Sequence, residues 1–264
     1  RGAGSTLKRP PARPVSTTIA AHRGGAGLWL ENSLTAFSEV ISLGVELVET
    51  DVHLSLDGEP VIIHDPLLDR TTTGSGPVGT RRWQDLKGLV LKGTEAETLP
   101  HLGKVTDILQ PSGVDLRLEI KVGHDKRRYA GIEDRVVDLL ASTGMLERTV
   151  FTSFQWDILT DIRARADPQG FIGLIKRDTC RQLGGVEEAM RRLADRGLSE
   201  LAVHETQLSG DAVAAANILG LRLGAYGAND AQQIGRVLAA KASTFTTDRP
   251  DIAVAMRRDL AAQG

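Results

Sequence analysis

Short runs of β-branched and aliphatic residues alternate along this chain with longer segments of helical hydrophobic period. Such alternation predicts repeated βα units around a parallel sheet. We expect nine strands, near residues 17–21, 45–52, 60–64, 115–121, 149–153, 171–175, 200–204, 221–226 and 244–247. Helices are expected at 33–44, 101–110, 131–143, 155–166, 185–196, 210–219 and 230–240.

One connection is too short for a parallel crossover, because only residues 55–59 join the second and third strands. Asp57-Gly58 in this segment is a strong two-residue hairpin turn, so the third strand is the returning arm of a hairpin. If Asp57 and Gly58 are the centre of the turn, the residue numbers of any two paired residues add up to 115. His64 would then lie opposite Asp51. Removing the third strand leaves eight, the number that closes an α/β, (β/α)₈ TIM barrel with a small insertion after the hairpin.

Two segments depart from the βα pattern. Residues 1–16 are rich in Pro, Gly and basic side chains and show no hydrophobic period, which predicts a flexible N-terminal tail. Residues 65–100 contain no convincing helix and are expected to be an insertion that covers the rim of the barrel. We therefore expect a single barrel domain over 17–264.

Composition narrows the possible partners and compartments. With 32 Lys+Arg against 34 Asp+Glu, the formal net charge of −2 provides no field to hold nucleic acid. No apolar run approaches the roughly 20 residues that span a bilayer, so no integral membrane association is expected. The single Cys180 forms no internal disulfide, which favours the cytoplasm. A periplasmic or secreted location stays open if a leader was removed, and the oligomeric state is open as well.

Acidic side chains gather where the strands of such a barrel end, which is where barrel enzymes place their functional groups. Because strand side chains alternate with period two, Glu49 and Asp51 share one face, and Glu119 reaches the same mouth from the next barrel strand. Three carboxylates without a thiolate form a hard oxygen site suited to Mg²⁺ or Ca²⁺. Without a cation these carboxylates would repel one another, which is a physical argument for a bound metal.

Two imidazoles are expected at the same mouth, His22 at the end of the first strand and His64 on the hairpin. Beside a metal they could act as general base and general acid near neutral pH. Arg23 and Lys121 are placed to hold anionic oxygens, so the ligand should be a phosphate ester. His53 lies further along the hairpin and is expected to be exposed.

An ordered set of short motifs extends over about residues 19–251. It comprises His22-Arg23-Gly24, Glu31-Asn32-Ser33-Leu34 with Ala36-Phe37, Glu49-Thr50-Asp51-Val52, Asp57-Gly58-Glu59-Pro60-Val61, His64-Asp65, Arg70-Thr71-Thr72, Leu99-Pro100, Glu119-Ile120-Lys121 and Thr247-Asp248-Arg249-Pro250. In this order the motifs resemble the glycerophosphodiester phosphodiesterase family.

The resemblance implies a (β/α)₈ barrel of glycerol and lipid metabolism that cleaves glycerophosphodiesters to glycerol 3-phosphate and an alcohol with Mg²⁺ or Ca²⁺ bound. It also implies that a substrate hydroxyl attacks phosphorus and forms a cyclic phosphate. Carried over position by position, it implies metal ligands at Glu49, Asp51 and Glu119, an acid/base pair at His22 and His64, and phosphate contacts at Arg23 and Lys121.

One departure from the family concerns the substrate pocket. Many members carry Trp-x-Val-Asn after the strand that corresponds to residues 221–226, the eighth of the nine expected here, whereas this chain reads Tyr226-Gly-Ala-Asn229. A smaller phenol there would admit a bulkier or more polar leaving group, and Trp29 could supply a replacement wall. Trp29 and Tyr226 are therefore candidate substrate walls, and sugar phosphodiesters are alternative substrates.

Other interpretations of the same residues stay open. The same machinery could act on lysophospholipid or sphingolipid head groups, in which case the loop 27–30 would enter lipid. A non-catalytic barrel that binds a phosphate ligand, and a metal-dependent lyase or isomerase, are alternatives of other classes. The three acids could also form salt bridges with Arg117 and Lys121, although burying them against so few bases is costly. His204 and Glu205 suit a structural pair as well as a pocket contact.

Overall fold

Nine strands form one sheet, and eight of them close into a ring. The structure, a computed structural model, describes residues 17–262, so the predicted tail at 1–16 lies outside the described residues. The strands are β1 (Thr18–Ala21), β2 (Leu47–Leu54), β3 (Pro60–Ile62), β4 (Asp115–Ile120), β5 (Thr149–Ser153), β6 (Gly170–Leu174), β7 (Glu200–His204), β8 (Arg222–Tyr226) and β9 (Thr244–Thr247). All nine lie where the hydrophobic pattern predicts them.

Helices fill the connections between the strands. They are α1 (Leu34–Val40), α2 (Trp83–Leu86), α3 (Leu102–Ser112), α4 (Ile132–Ser142), α5 (Trp156–Arg165), α6 (Arg177–Leu183), α7 (Val186–Ala194), α8 (Gly210–Ile218), α9 (Ala231–Ala239) and α10 (Pro250–Ala262). The seven predicted helices are all present. The sequence pattern did not indicate α2, α6 and α10.

The ring closes between the first and last strands. β1 pairs in parallel with β9 on one side and with β2 on the other, and the remaining neighbours are parallel as well. β3 pairs antiparallel with β2 and stands outside the ring. The predicted (β/α)₈ TIM barrel is therefore confirmed.

The register of the β2–β3 hairpin differs from the prediction by one residue. Val52 pairs with Ile62 and His53 with Val61, so the paired numbers sum to 114 rather than 115. Ile63 therefore lies opposite Asp51, and its N–H donates to the Asp51 carbonyl over 3.2 Å. The prediction that His64 sits directly across from Asp51 is wrong.

The turn itself explains the shift. Three residues, 56–58, form the loop, and Gly58 adopts a left-handed φ of 83°. The N–H of Gly58 donates to the Ser55 carbonyl, and the N–H of Ser55 donates to the Glu59 carbonyl, both over 3.0 Å. A loop of this kind combines a turn with a glycine bulge and adds one residue to the two-residue turn that Asp57-Gly58 suggests.

Two apolar layers follow the alternation along the strands. Leu116, Leu118 and Ile120 of β4 face outward into the core between barrel and helices. Leu47 faces inward, where it packs with Val150 and other residues of the barrel interior. The predicted parity is confirmed, so Glu49, Arg117 and Glu119 lie on the inner face.

The segment that follows the hairpin has an apolar cluster of its own, which includes Leu68, Val78, Leu86 and Leu91. Its only regular helix is α2, which has four residues. Arg70 of this segment bridges to the barrel mouth through Glu31, with two hydrogen bonds of 2.8 Å. Among residues 17–262, no helix is both long enough and apolar enough to cross a bilayer.

Close strand packing on one side of the barrel requires a glycine. A Cβ added at Gly224 of β8 would lie 2.7 Å from the carbonyl oxygen of Thr244 in β9 and 3.0 Å from its Cγ2. At Gly170 of β6, by contrast, an added Cβ would meet nothing within 4 Å.

We therefore expect Gly224→Ala to lower the free energy of unfolding by about 1–3 kcal/mol, because the methyl group forces β8 and β9 apart. Gly170→Ala, the matched control, should be neutral or stabilise by about 0.4–1 kcal/mol. Urea unfolding followed by circular dichroism measures both. Equal midpoints for the two variants would contradict this account of the packing.

Candidate active site

Three buried carboxylates lie together at the carboxyl end of the barrel. Asp51 of β2 is in register with Glu119 of β4, and Glu49 lies one inward position before Asp51. One oxygen from each of the three side chains lies within 4.8 Å of the others. Asp51 Oδ1 is buried and accepts no well-directed hydrogen bond, which leaves it available to a cation. The site thus fits a hard divalent metal such as Mg²⁺ or Ca²⁺, and residues 49, 51 and 119 could hold it.

Burial and mutual repulsion set the protonation of this triad. Burial, followed by the negative charges of Asp51 and Glu119, raises the pKa of Glu49 to about 7. Burial alone would also raise the pKa of Asp51, but the positive charges of Lys121, His64 and Arg23 hold it well below its usual range. In the metal-free protein one acid of the cluster therefore tends to keep its proton while another stays ionised.

Two cations lie against the triad. Lys121 Nζ is 2.6 Å from Glu119 Oε1 and 3.0 Å from Asp51 Oδ1. The backbone N–H of Arg23 donates to Glu49 Oε2 over 2.9 Å. In the side chain of Arg23, Nε lies 3.5 Å from Asp51 Oδ2. Arg23 adopts a left-handed φ of 50°, which turns its N–H toward the triad. Both predicted phosphate contacts thus also orient carboxylates.

His22 has a carboxylate partner that fixes its ring. Its Nδ1 lies 2.5 Å from Asp248 Oδ1, just after β9. Asn229 completes the arrangement, because its Nδ2 donates to Asp248 Oδ2 over 2.7 Å. Burial alone would lower the pKa of His22, but the hydrogen bond with Asp248 and the charge of Glu49 raise it overall. With Nδ1 engaged, Nε2 remains for proton transfer.

His64 has an equivalent partner on the hairpin side. Its Nδ1 lies 2.7 Å from Asp65 Oδ1, and Arg70 Nε donates to the other oxygen of Asp65 over 2.6 Å. This hydrogen bond from Arg70 is the main reason that the pKa of Asp65 falls to about 2. Burial lowers the pKa of His64. Although the register is shifted, His64 still lines the same cavity as Glu119 and Lys121.

His53 is buried, so the prediction that it is exposed is wrong; only 1% of its surface is accessible. Burial lowers its pKa to about 4, so the ring is neutral near pH 7. Its Nε2 lies 3.0 Å from the His64 carbonyl oxygen, and its Nδ1 lies 2.9 Å from the Tyr129 hydroxyl. The neutral ring therefore donates to the backbone of His64 and accepts from Tyr129. It holds the segment that carries His64.

Asn32 is a site residue to which the sequence analysis assigned no role. Its Nδ2 donates to Asp51 Oδ2 over 3.0 Å, and its Oδ1 accepts from the Thr50 hydroxyl over 2.8 Å. These contacts fix Oδ2 of Asp51, while Oδ1 lies 3.0 Å from Lys121 Nζ. The signal in the sequence was its place in the motif Glu31-Asn32-Ser33-Leu34, whereas its left-handed φ of 57°, which asparagine tolerates better than most residues, is visible only in the backbone.

The remaining candidates make their hydrogen bonds and packing contacts with residues outside the triad. Tyr226 donates its hydroxyl to the Ile175 carbonyl over 2.8 Å, and Trp29 packs partly buried against the outer core. Their roles as substrate walls stay predictions. Glu205 pairs with Arg236 over 3.0 Å, and His204 caps the turn that follows it.

A cavity of about 820 Å³ opens beside the triad. Glu119, Lys121 and His64 line the part of it that belongs to the site. From there it extends over the ends of β5 and β6, where Phe154 and Lys176 contribute to the wall. Its size suits a ligand much larger than a metal and a phosphate group.

Fold and site together define a class of protein: a (β/α)₈ barrel whose mouth combines an acidic cation site with two histidines, each oriented by an aspartate. The family model described as the glycerophosphoryl diester phosphodiesterase family matches residues 22–252. The chain belongs to this family, whose members are phosphoric diester hydrolases.

Individual proteins agree with the family match. A glycerophosphodiester phosphodiesterase of Caldanaerobacter subterraneus subsp. tengcongensis is 32% identical over 166 residues, which cover 61% of this chain and 67% of that enzyme. A candidate glycerophosphoryl diester phosphodiesterase from Agrobacterium tumefaciens is 28% identical to this chain in sequence. Its crystal structure superposes with a TM-score of 0.90, and the match covers 94% of this chain and 99% of that one. A phosphodiesterase of Oleispira antarctica, in complex with the product sn-glycerol-3-phosphate, shares the fold at 24% identity and a TM-score of 0.77, with 92% and 97% covered.

The triad predicts a stability change that depends on pH and metal. The pKa of Glu49, about 7 in the folded chain against an ordinary 4.5, means that ionising this group costs stability as pH rises from 4.5 through 7. In EDTA at pH 8, Glu49→Gln should therefore raise the free energy of unfolding by about 1–3 kcal/mol, and this gain should shrink toward pH 5. The glutamine oxygen can still accept from the Arg23 N–H.

Thermal unfolding with EDTA, Mg²⁺ or Ca²⁺ measures the gain in stability without metal and the response to added metal. Divalent metal should raise the Tm of the wild type and not that of Glu49→Gln. Asp107→Asn removes an exposed acid paired with Lys104 on α3 and is the control. It should change neither the stability in EDTA nor the rise in Tm on adding metal. A variant that loses stability in EDTA at pH 8, or that keeps the full metal response, would contradict this description of the triad.

Proposed function

We propose that the protein hydrolyses glycerophosphodiesters to glycerol 3-phosphate and an alcohol, with a divalent metal at Glu49, Asp51 and Glu119 and with His22 and His64 as the acid/base pair. The observation that carries the proposal is the convergence of two carboxylate-oriented imidazoles on one buried acidic cluster. Membership of the family supports it, as does the product bound in the Oleispira antarctica relative.

The metal would be Mg²⁺ or Ca²⁺, because all three candidate ligands are carboxylates. When bound, it would supply positive charge to the phosphate oxygens and make phosphorus more electrophilic. Asn32 donates to Asp51 Oδ2 and so fixes the orientation of that carboxylate. Arg23 and Lys121, the cations nearest to the triad, would contact the phosphate oxygens.

The histidines would move protons at two oxygens of the same diester. Each has its Nδ1 against an aspartate, so Nε2 is the atom that faces the reacting group. One imidazole removes the proton of the attacking hydroxyl, and the other protonates the departing alcohol oxygen. No serine, cysteine or lysine of the chain is needed as a nucleophile.

The attacking hydroxyl belongs to the glycerol of the substrate. Its oxygen forms a bond to phosphorus while the bond from phosphorus to the alcohol oxygen breaks, which gives a five-membered cyclic phosphate and the free alcohol. Water then opens the ring to glycerol 3-phosphate. The attack gains from proximity, because nucleophile and phosphorus belong to one molecule.

Water-soluble diesters fit better than lipids. In the loop 27–30, Trp29 and Leu30 pack against the apolar clusters, and the exposed apolar side chain is Leu28 at 37%. One leucine is a small contact for entering a lipid surface. We therefore place glycerophosphodiesters and sugar phosphodiesters ahead of lysophospholipid or sphingolipid head groups.

Loss of either imidazole should nearly abolish turnover. We expect His22→Ala and His64→Ala each to lower kcat about 100- to 10,000-fold, because each removes one proton-transfer group. Phosphorus NMR with glycerophosphocholine and a panel of sugar phosphodiesters, in Mg²⁺, Ca²⁺ or EDTA, measures the phosphomonoester product.

His101→Asn is the control, because His101 lies outside the site and caps α3, and asparagine can cap the helix in its place. It should keep wild-type turnover. No phosphomonoester from any diester with either metal would refute the proposed function. Full activity in His22→Ala or His64→Ala would refute the assigned roles.

A reaction through a cyclic phosphate requires a hydroxyl on the substrate next to the phosphoester. An analogue in which the glycerol hydroxyl next to the phosphoester is replaced by hydrogen should bind as a competitive inhibitor and release no alcohol, because it has no internal nucleophile. Inhibition kinetics and phosphorus NMR of the same sample test this. Cleavage of the analogue at a rate near that of the parent diester would instead show direct attack by water.

A further inference from the structure

The cavity beside the triad has a surplus of positive charge. Its charged lining residues, histidines aside, are Lys121, Lys126, Lys176, Arg196, Glu119 and Asp157. Lys121 and Glu119 pair with each other in the site, and Arg196 Nε lies 3.4 Å from Asp157 Oδ1. Lys126 and Lys176 form no ion pair with any acid of residues 17–262. Two cations at the cavity wall are therefore uncompensated.

Lys126 is held at the wall by a closed turn. The N–H of Gly123 donates to the Arg127 carbonyl over 2.8 Å, and the N–H of Lys126 donates back to the Gly123 carbonyl over 2.9 Å. Lys126 itself adopts a left-handed φ of 64°, where glycine or asparagine would be less strained. The turn therefore fixes the backbone from which the Lys126 side chain lines the cavity.

Lys176 occupies the aromatic surface of the cavity. Its Nζ lies 6.0 Å from the centre of the Phe154 ring, and Tyr226 packs edge-on against the same ring. A quaternary ammonium group binds to proteins over such an aromatic face. Here the ammonium of Lys176 already lies over the ring, so a choline group would meet a like charge.

The size of the cavity indicates which part of the substrate enters it. Every substrate of the proposed reaction contains the same glycerol, whereas its second alcohol varies. A volume of about 820 Å³ greatly exceeds the needs of a three-carbon polyol, so it suits the variable arm. His64, which lines the same cavity, is then close to the bond between phosphorus and that arm.

We propose that the cavity lined by Lys126 and Lys176 is a leaving-group subsite that selects phosphodiesters whose departing alcohol carries a negative charge. This inference rests on the proposed function and specifies its substrate class. Lys126 and Lys176 act on specificity by contacting the anionic group of the leaving alcohol. The cleaved bond and the proton transfers stay as described above.

Three soluble diesters of glycerol phosphate differ in the charge of the leaving alcohol. It is cationic in glycerophosphocholine, neutral in glycerophosphoglycerol and anionic in bis(glycerophospho)glycerol, in which the departing glycerol carries a second phosphodiester. Initial rates by phosphorus NMR give kcat/KM for each, with the value for the anionic diester halved for its two equivalent ends. The wild type at low salt should prefer the anionic, then the neutral, then the cationic diester.

Charge-removing variants test the two lysines. Lys176→Met and Lys126→Asn should each lower the ratio of kcat/KM for anionic over neutral diester about three- to tenfold, the effect of losing one cation near a screened anion. Asparagine tolerates the left-handed backbone at position 126. Lys176→Arg should retain the preference. Lys104→Met, which removes an exposed cation on α3, is the matched control and should leave the ratio at its wild-type value.

Salt provides a second measurement on the unaltered protein. Raising the ionic strength should bring the ratio of anionic over neutral diester toward one, because the contacts are screened. A preference for glycerophosphocholine, equal rates for all three diesters, or a ratio that neither lysine variant changes would overturn the subsite while the proposed function stands. Absence of hydrolysis of all three diesters by the wild type would overturn the proposed function, and the subsite with it.

Discussion

Repulsion among three buried carboxylates is the constraint around which the mouth of this barrel is organised. Oxygens of Glu49, Asp51 and Glu119 lie within 4.8 Å of one another in a region shielded from water. Ionised acids at such distances need compensating charge, which Lys121 and Arg23 provide in part. A divalent cation would complete the balance. Without such a cation the triad lowers the stability of the fold, a compromise between stability and function that is common at active sites.

At the mouth of the barrel, two histidines are each oriented by an aspartate. His22 and His64 arrive by unrelated routes, one at the end of a barrel strand and the other on a hairpin outside the ring. Each meets an aspartate at Nδ1, and each aspartate is itself held by a second group, Asn229 in one case and Arg70 in the other. The proposed proton transfers require a fixed tautomer and ring direction, and these chains of hydrogen bonds supply both.

The alternation of apolar residues was enough to predict all nine strands, the barrel and the positions of the acids, because strand parity decides which side chains face inward. The register of the hairpin was not predictable from Asp57-Gly58, because Gly58 adds a bulge that only the backbone reveals. The burial of His53 depends on Tyr129, a residue far along the chain. The helix α6 has only seven residues, too few for its period to be recognised, and α10 buries little apolar surface.

The barrel closes where its first strand, β1, pairs with its last strand, β9, and this pairing brings together two residues of the site. His22 and Asp248 are separated by 226 positions in the chain, and they meet only where β1 pairs with β9. Closing a chain of that length costs conformational entropy. A partly folded chain that lacks the final strand pairing has no oriented His22. Under the proposed mechanism, catalytic competence therefore reports the completion of the ring.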